Sequence, residues 1–230
     1  MKTMQKIPLF PIDYKKMGEY LHNHADAFKT LLEEMIKDSS NLNRPDYVLA
    51  YYCMSFTKGF MATLGCDGYL SDLLKKEQYD QLLKDANQIL SINPLCCPAL
   101  SRAWIACQRS NKSEAETKHY SDRLMNILEA INFTGDGTEQ NPFYVTCLAD
   151  EYEFMQQYLD LWDYEKHELV HDEKHICDKF TLKNLSGQYA RYEIYFEISR
   201  GLQVEQEIAE LEKMDQENQK KAQANDNPKA

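Results

Sequence analysis

The sequence lacks any apolar run approaching the roughly 18 residues that span a membrane. It also lacks the apolar stretch of a secretory signal: Met1 to Phe10 reads MKTMQKIPLF, and Pro11, Asp13, Lys15 and Lys16 follow at once. The expectation is a cytoplasmic chain with no membrane span. Positive charge is also scarce, with 26 Lys and Arg against 37 Asp and Glu and a formal net charge of -11. Nucleic-acid binders need a basic stripe that releases counterions, so nucleic acid is not expected as a partner. The same carboxylate excess would attract a basic protein.

No C-x-x-C pair occurs, and the seven cysteines are odd in number, include the adjacent Cys96 and Cys97, and lie mostly in apolar runs. They read as reduced thiols and not as a secreted disulfide framework. There is no Walker loop, dinucleotide fingerprint or nucleophile elbow, and no cofactor is expected. His167, His171 and His175 recur every four residues, a spacing that would align them on a helix. The flanking pattern is strand-like, however, and a solvated polar face is expected there, with no metal site.

What the chain does have is a core. Its 230 residues are 43% hydrophobic and include 15 Tyr and 9 Phe, enough apolar surface to fold one large domain or two small ones. Tyr14, Met17, Leu21, Phe28, Leu31 and Met35 recur at helical steps and predict a helix over 14–37, capped by Asp13 and left through Asp38 to Asn41. His24 falls on that seam and reads as a hydrogen-bonded core or rim side chain. Pro45 and Asp46 open a second helix carrying Tyr47, Val48, Tyr51, Tyr52, Phe56 and Phe60, an aromatic core face, with Gly65 to Gly68 as the loop after it. Helices are then predicted over 71–92, 97–109 and 113–131. From Tyr79 through Asn93, Pro94 and Ala99 to Tyr120 the pattern resembles a degenerate tetratricopeptide-type repeat of about one and a half units.

At Thr134 the period changes to alternation. Phe143 to Leu148, a run from Leu169, Ile176 to Leu182, and Tyr189 to Ile198 predict four strands in an antiparallel meander, with a helix over 150–161 inserted after the first. The fold class is therefore α+β: N-terminal helical hairpins over 1–133, then a small antiparallel sheet over 134–200 packed on them as one unit. Residues 201–230 read as a polar, largely disordered tail, with at most a short helix around Ile208 and Leu211.

The segments SINPLCCPALSRAWIAC, NFTGDGT, NPFYVTCLADEYEF, ICDKFTL and EIYFEIS occur in that order. Together they resemble the bacterial family named domain of unknown function forty-nine nineteen, most closely over 92–198. The resemblance implies shared features at Asn93, Pro94, Gly135, Asp136, Gly137, Glu151, Tyr152, Cys177, Asp178, Tyr195 and Phe196. Members of that family usually begin with an export signal, from which this chain departs, and the family has no established activity to lend.

Read as chemistry, Gly135-Asp136-Gly137 is a tight turn before it is an anion nest. Asp150 reads as an N-cap, with Glu151 on the positive end of the helix dipole. Cys177 beside Asp178 makes a poor nucleophile, because a carboxylate raises a thiol's pKa. The leading expectation is a noncatalytic protein-interaction module that binds or neutralises a basic protein, as an immunity protein would. The alternative is a hydrolase using Asp136, Asp150, Glu151 and Asp178 as an acidic cluster for a divalent cation or for acid-base work.

Overall fold

Asp13 does cap the first helix, its carboxylate accepting the Lys16 amide at 3.1 Å. The helix expected over 14–37 is nevertheless two, α1 (Tyr14–Asn23) and α2 (Ala25–Lys37). The chain leaves helical geometry at His24 (φ -133°), whose exposed ring rests on Tyr20 and not in a core seam. The structure, a computed structural model, describes residues 12–37, 42–171, 175–182 and 192–225. The N-terminal MKTMQKIPLF, the exit at Asp38 to Asn41, Tyr189 to Arg191 of the last predicted strand, and the tail after Asn225 lie outside the described residues.

The aromatic helix also divides. α3 (Arg44–Met54) starts at a capping box made by Asn43 and Asp46, and a turn at Ser55 leads to α4 (Lys58–Met61). The helix expected over 71–92 is α5 (Cys66–Lys75) and α6 (Tyr79–Ile92). The break lies at Glu77, which takes φ 57°, so the Gln78 amide bonds back to the Leu73 carbonyl and closes the end of α5. Only a non-glycine residue in the left-handed region marks this stop. α7 (Cys97–Arg109) and α8 (Glu114–Asn132) match the expected spans to within a residue, separated by Asn111 at φ 51°. α5, α6 and α8 all pack against α7, and α3 packs against α8.

The sheet comprises β1 (Phe143–Tyr144), β2 (Tyr164–His171), β3 (Ile176–Leu182) and β4 (Glu193–Glu197). Its order is β1-β4-β3-β2, with β1 parallel to β4 and the other pairs antiparallel. The sheet is therefore mixed and not the expected meander. The inserted helix α9 (Leu148–Glu153), continued by a π-helical turn at Phe154–Tyr158, carries the chain to the far edge before β2 begins. When the chain returns through the β2–β3 hairpin, β4 arrives beside β1 in the same direction.

Three tyrosine hydroxyls join the layers. Tyr52 donates to the Tyr144 carbonyl at 2.7 Å, Tyr14 to the Val145 carbonyl at 3.3 Å, and Tyr51 to Asp150 at 2.6 Å. One apolar cluster runs from Phe28 through the helices to Phe180, Phe196 and Val204. Val204 belongs to α10 (Ser199–Asn225), so the largely disordered tail expected from 201 is corrected: the chain is helical to Asn225, and its first turn enters the core. Three apolar residues, Leu202, Val204 and Ile208, and one buried cation, Arg200, anchor this otherwise polar segment. Among the described residues, no helix is long and apolar enough to cross a membrane.

Candidate functional site

α9 is six residues long and contains three buried carboxylates, each directed to a different neighbour. Asp150 was expected to cap the helix, but Cys147 holds that position. Asp150 instead lies inside, accepting from Tyr51 at 2.6 Å with the Thr146 hydroxyl at 3.5 Å. Burial pushes its pKa up, and these hydrogen bonds oppose the shift. Glu153 pairs with Arg102 at 3.0 Å, yet burial outweighs the guanidinium and lifts it to about 7.

Glu151, between them, reaches the sheet. One ligand atom from each of Glu151, His167 on β2 and Asp178 on β3 lies within 4.8 Å of the other two. His167 Nε2 is 3.0 Å from Asp178 Oδ2. Both Glu151 oxygens are buried with no hydrogen-bond donor among the described residues. Burial first, then the negative charges of Asp178 and Asp150, drive the Glu151 pKa well above its ordinary value. The β2–β3 register explains the meeting: His167 is opposite Phe180 and Leu169 opposite Asp178, so His167 and Asp178 are diagonal neighbours on one face.

Of the four carboxylates of the hydrolase reading, Glu151 and Asp178 come together, while Asp150 points to the helical layer. Asp136 lies apart on the surface. Its Oδ1 accepts the Thr138 amide and hydroxyl at 3.1 and 2.6 Å, and the Asp136 and Gly137 amides both donate to the Asn141 carbonyl, so no free nest remains. Glycine is needed on both sides: a Cβ at Gly135 would lie 2.1 Å from the Pro142 carbonyl oxygen, and Gly137 has φ 74°.

The remaining family positions are mostly structural. Asn93 ends α6, donating to Thr63 and accepting the Leu95 amide; the Pro94 carbonyl accepts from the buried Arg123 at 2.6 Å. Cys177 is buried in β3, Phe196 is fully buried, and the Tyr195 hydroxyl donates to Glu193. Tyr152 meets the Phe180 ring edge-on and borders a groove.

That groove, about 780 Å³, lies between the α4–α5 turn, the start of α9 and α10. Met61, Leu64, Leu148 and Ile208 make its apolar floor, and Asp67, Glu205 and Glu212 stand around it. Beside it, a pocket of about 20 Å³, room for roughly one water, is bordered by Cys66, Cys96 and Cys147. Cys66 and Cys96 share a thiol hydrogen at 3.6 Å, a contact that lowers the Cys66 pKa and raises that of Cys96.

Sequence reasoning weighed His167 only against His171 and His175 and missed its partners across the strand and on α9. It also missed Glu153 and Arg102. The density of acids in LADEYE was the available signal, since one turn of helix cannot expose all of them once both its sides are covered. A family model, Domain of unknown function (DUF4919), matches residues 15–207. No curated protein and no solved structure matches the chain.

Proposed function

The chain belongs to the DUF4919 family, a domain of unknown function, and we propose that it is a noncatalytic protein-interaction module that binds a basic amphipathic segment of a partner protein. The groove between α9 and α10 carries this reading, because an apolar floor beside Asp67, Glu205 and Glu212 complements a helix with one apolar and one basic face. Leu148 contributes exposed apolar surface at 38% accessibility, in a protein whose net charge is -11.

The test uses two synthetic peptides in fluorescence anisotropy, an amphipathic Leu/Lys helix and its Leu/Glu counterpart. The basic peptide should bind the full chain with an affinity that weakens as salt rises. Glu205→Lys with Glu212→Lys, or Leu148→Asp alone, should weaken it at least about tenfold, the effect of roughly 1.4 kcal/mol. Equal binding of both peptides, or no loss in either variant, would overturn the reading.

The hydrolase reading retains one observation in its favour, the meeting of Glu151 and Asp178. Turnover of a generic ester or phosphoester, abolished in Glu151→Gln, would support it over the interaction module.

A further inference from the structure

We propose that Glu151, His167 and Asp178 form a binding site for a first-row divalent transition cation of the zinc class, with one imidazole nitrogen and two carboxylates as ligands. The inference does not rest on the groove. Metal–ligand bonds of about 2.0 to 2.2 Å place ligand atoms within roughly 4 Å of one another around a common centre. The three atoms already lie within 4.8 Å, so side-chain shifts of under about 1 Å complete the set.

Glu151 is the independent observation that asks for a cation. It is fully buried, and neither of its oxygens finds a donor among the described residues. A buried carboxylate without a donor is costly, and a second carboxylate beside it adds to the cost. Neighbouring basic side chains are committed elsewhere: Arg102 to Glu153 at 3.0 Å, Lys179, on the opposite face of β3 from Asp178, to Glu193 at 2.9 Å, and His167 to Asp178 at 3.0 Å. A proton shared between Glu151 and Asp178 would relieve their repulsion but leave a Glu151 oxygen unsatisfied. A divalent ion would answer both.

The three ligands come from three elements that hold them in place. His167 is stacked on Phe180, with ring centroids 4.4 Å apart and planes 6° from parallel. Asp178 sits in the interior strand β3, flanked by both β2 and β4. Glu151 is fixed between the Tyr51–Asp150 and Arg102–Glu153 contacts of its own helix. The donor set chooses the ion: an imidazole disfavours calcium and magnesium, and the absence of sulfur disfavours copper(I). The His167 side chain, 35% accessible, leaves the solvent side of the site open for a water ligand. Bound metal would fasten α9 to β2 and β3.

The decisive experiment titrates the full chain with cobalt(II) and zinc(II), by visible absorption and calorimetry, in a Cys66→Ser/Cys96→Ser background that removes the closest thiol pair. One equivalent should bind, with cobalt d–d bands and no thiolate-to-metal band. Glu151→Gln and His167→Phe should each weaken binding at least about tenfold, the level expected for loss of a ligand from a set of three. His167→Phe keeps the stack on Phe180, and Glu151→Gln removes a buried like charge, so both variants are chosen to fold. Zinc should raise the unfolding temperature of the parent and leave Glu151→Gln unmoved. Absence of stoichiometric binding, a thiolate band, or affinity unchanged from the parent in both variants would overturn the site. Should either variant fail to fold, the parent's cobalt spectrum and stoichiometry still decide.

Discussion

The guanidinium of Arg200 lies 4.0 Å above the ring of Phe56, joining the start of α10 to the turn between α3 and α4. Two of its hydrogen bonds reach the same turn, and a third contact stays within α10. Nη2 donates to the Ser55 carbonyl at 2.6 Å and Nε to the Ser55 hydroxyl at 3.2 Å, while Nη1 meets Glu207 at 2.8 Å. Gly18 of α1 also meets Phe56, where a Cβ would approach the ring to 3.3 Å. Phe56 thus contacts both α1 and α10.

Arg200→Met should therefore cost about 3 kcal/mol, the low end for breaking a buried ion pair, because Glu207 is partly accessible and can rehydrate. Urea denaturation measures it. A loss below about 1 kcal/mol would mean that the cation–π stack and the Ser55 bonds contribute little net stability.

Truncation tests the same anchor by length. Ending the chain after Leu202 removes fully buried Val204, half-buried Ile208 and the Glu207 partner of Arg200. The melting temperature should fall by more than about 8 °C. Ending it after Met214 removes only exposed positions among those described and should change it by less than about 2 °C. Equal melting of the two truncations would contradict the packing of the α10 start.

A pH dependence follows from Glu153. Its folded-state pKa is raised by burial from 4.5 to about 7. Its contribution is fully present below 4.5 and is lost as pH climbs through about 7, where the folded protein must ionise a buried acid. Burial raises Asp150, Glu151 and Glu197 in the same direction. The lowered Asp13, Asp85 and Glu168 act oppositely but are already ionised above pH 5, and His119, lowered from 6.5 by burial, opposes the fall only below about pH 6.5. Urea midpoints should fall between pH 5 and pH 8, with Glu153 alone accounting for up to roughly 3 kcal/mol. Glu153→Gln should flatten the slope; a midpoint that rises over this interval would refute the assignment.

Legibility in the sequence followed locality. α7 could be read to the residue because Pro98 sits in its first turn and its apolar positions keep one period, and β3 because Ile176, Phe180 and Leu182 keep a two-residue period between polar flanks. The breaks at His24 and Glu77 could not, since neither glycine nor proline marks them. The parallel pairing of β1 with β4 depends on where α9 delivers the chain, which no local pattern encodes. The buried start of α10 rests on single residues, Arg200 and Val204, in a segment whose average composition is polar. At the site, Glu151 and Asp178 stood out as acids, but their separation from Asp136 and their meeting with His167 are consequences of strand register.

The last prediction concerns Tyr51, whose hydroxyl donates to Asp150 at 2.6 Å while accepting the Thr146 amide at 3.1 Å. One oxygen on α3 thus joins the base of α9 to the backbone just after β1. Tyr51→Phe leaves the ring in place and removes only that oxygen, so packing is preserved while the Thr146 amide and the buried Asp150 lose a partner. Asp150 keeps the Thr146 hydroxyl, whereas the buried Thr146 amide is orphaned, which costs about 1 to 3 kcal/mol. Tyr52→Phe is the control, since it removes the bond to the Tyr144 carbonyl and leaves Asp150 and the Thr146 amide partnered. If helices and sheet open as one unit, Tyr51→Phe should accelerate hydrogen exchange in α3, α9, β3 and β4 by similar factors, and Tyr52→Phe should do so less. Exchange that quickens in α3 while Ile176–Leu182 and Glu193–Glu197 stay protected would divide the chain into two independent units, with the tyrosine hydroxyls as surface contacts between them.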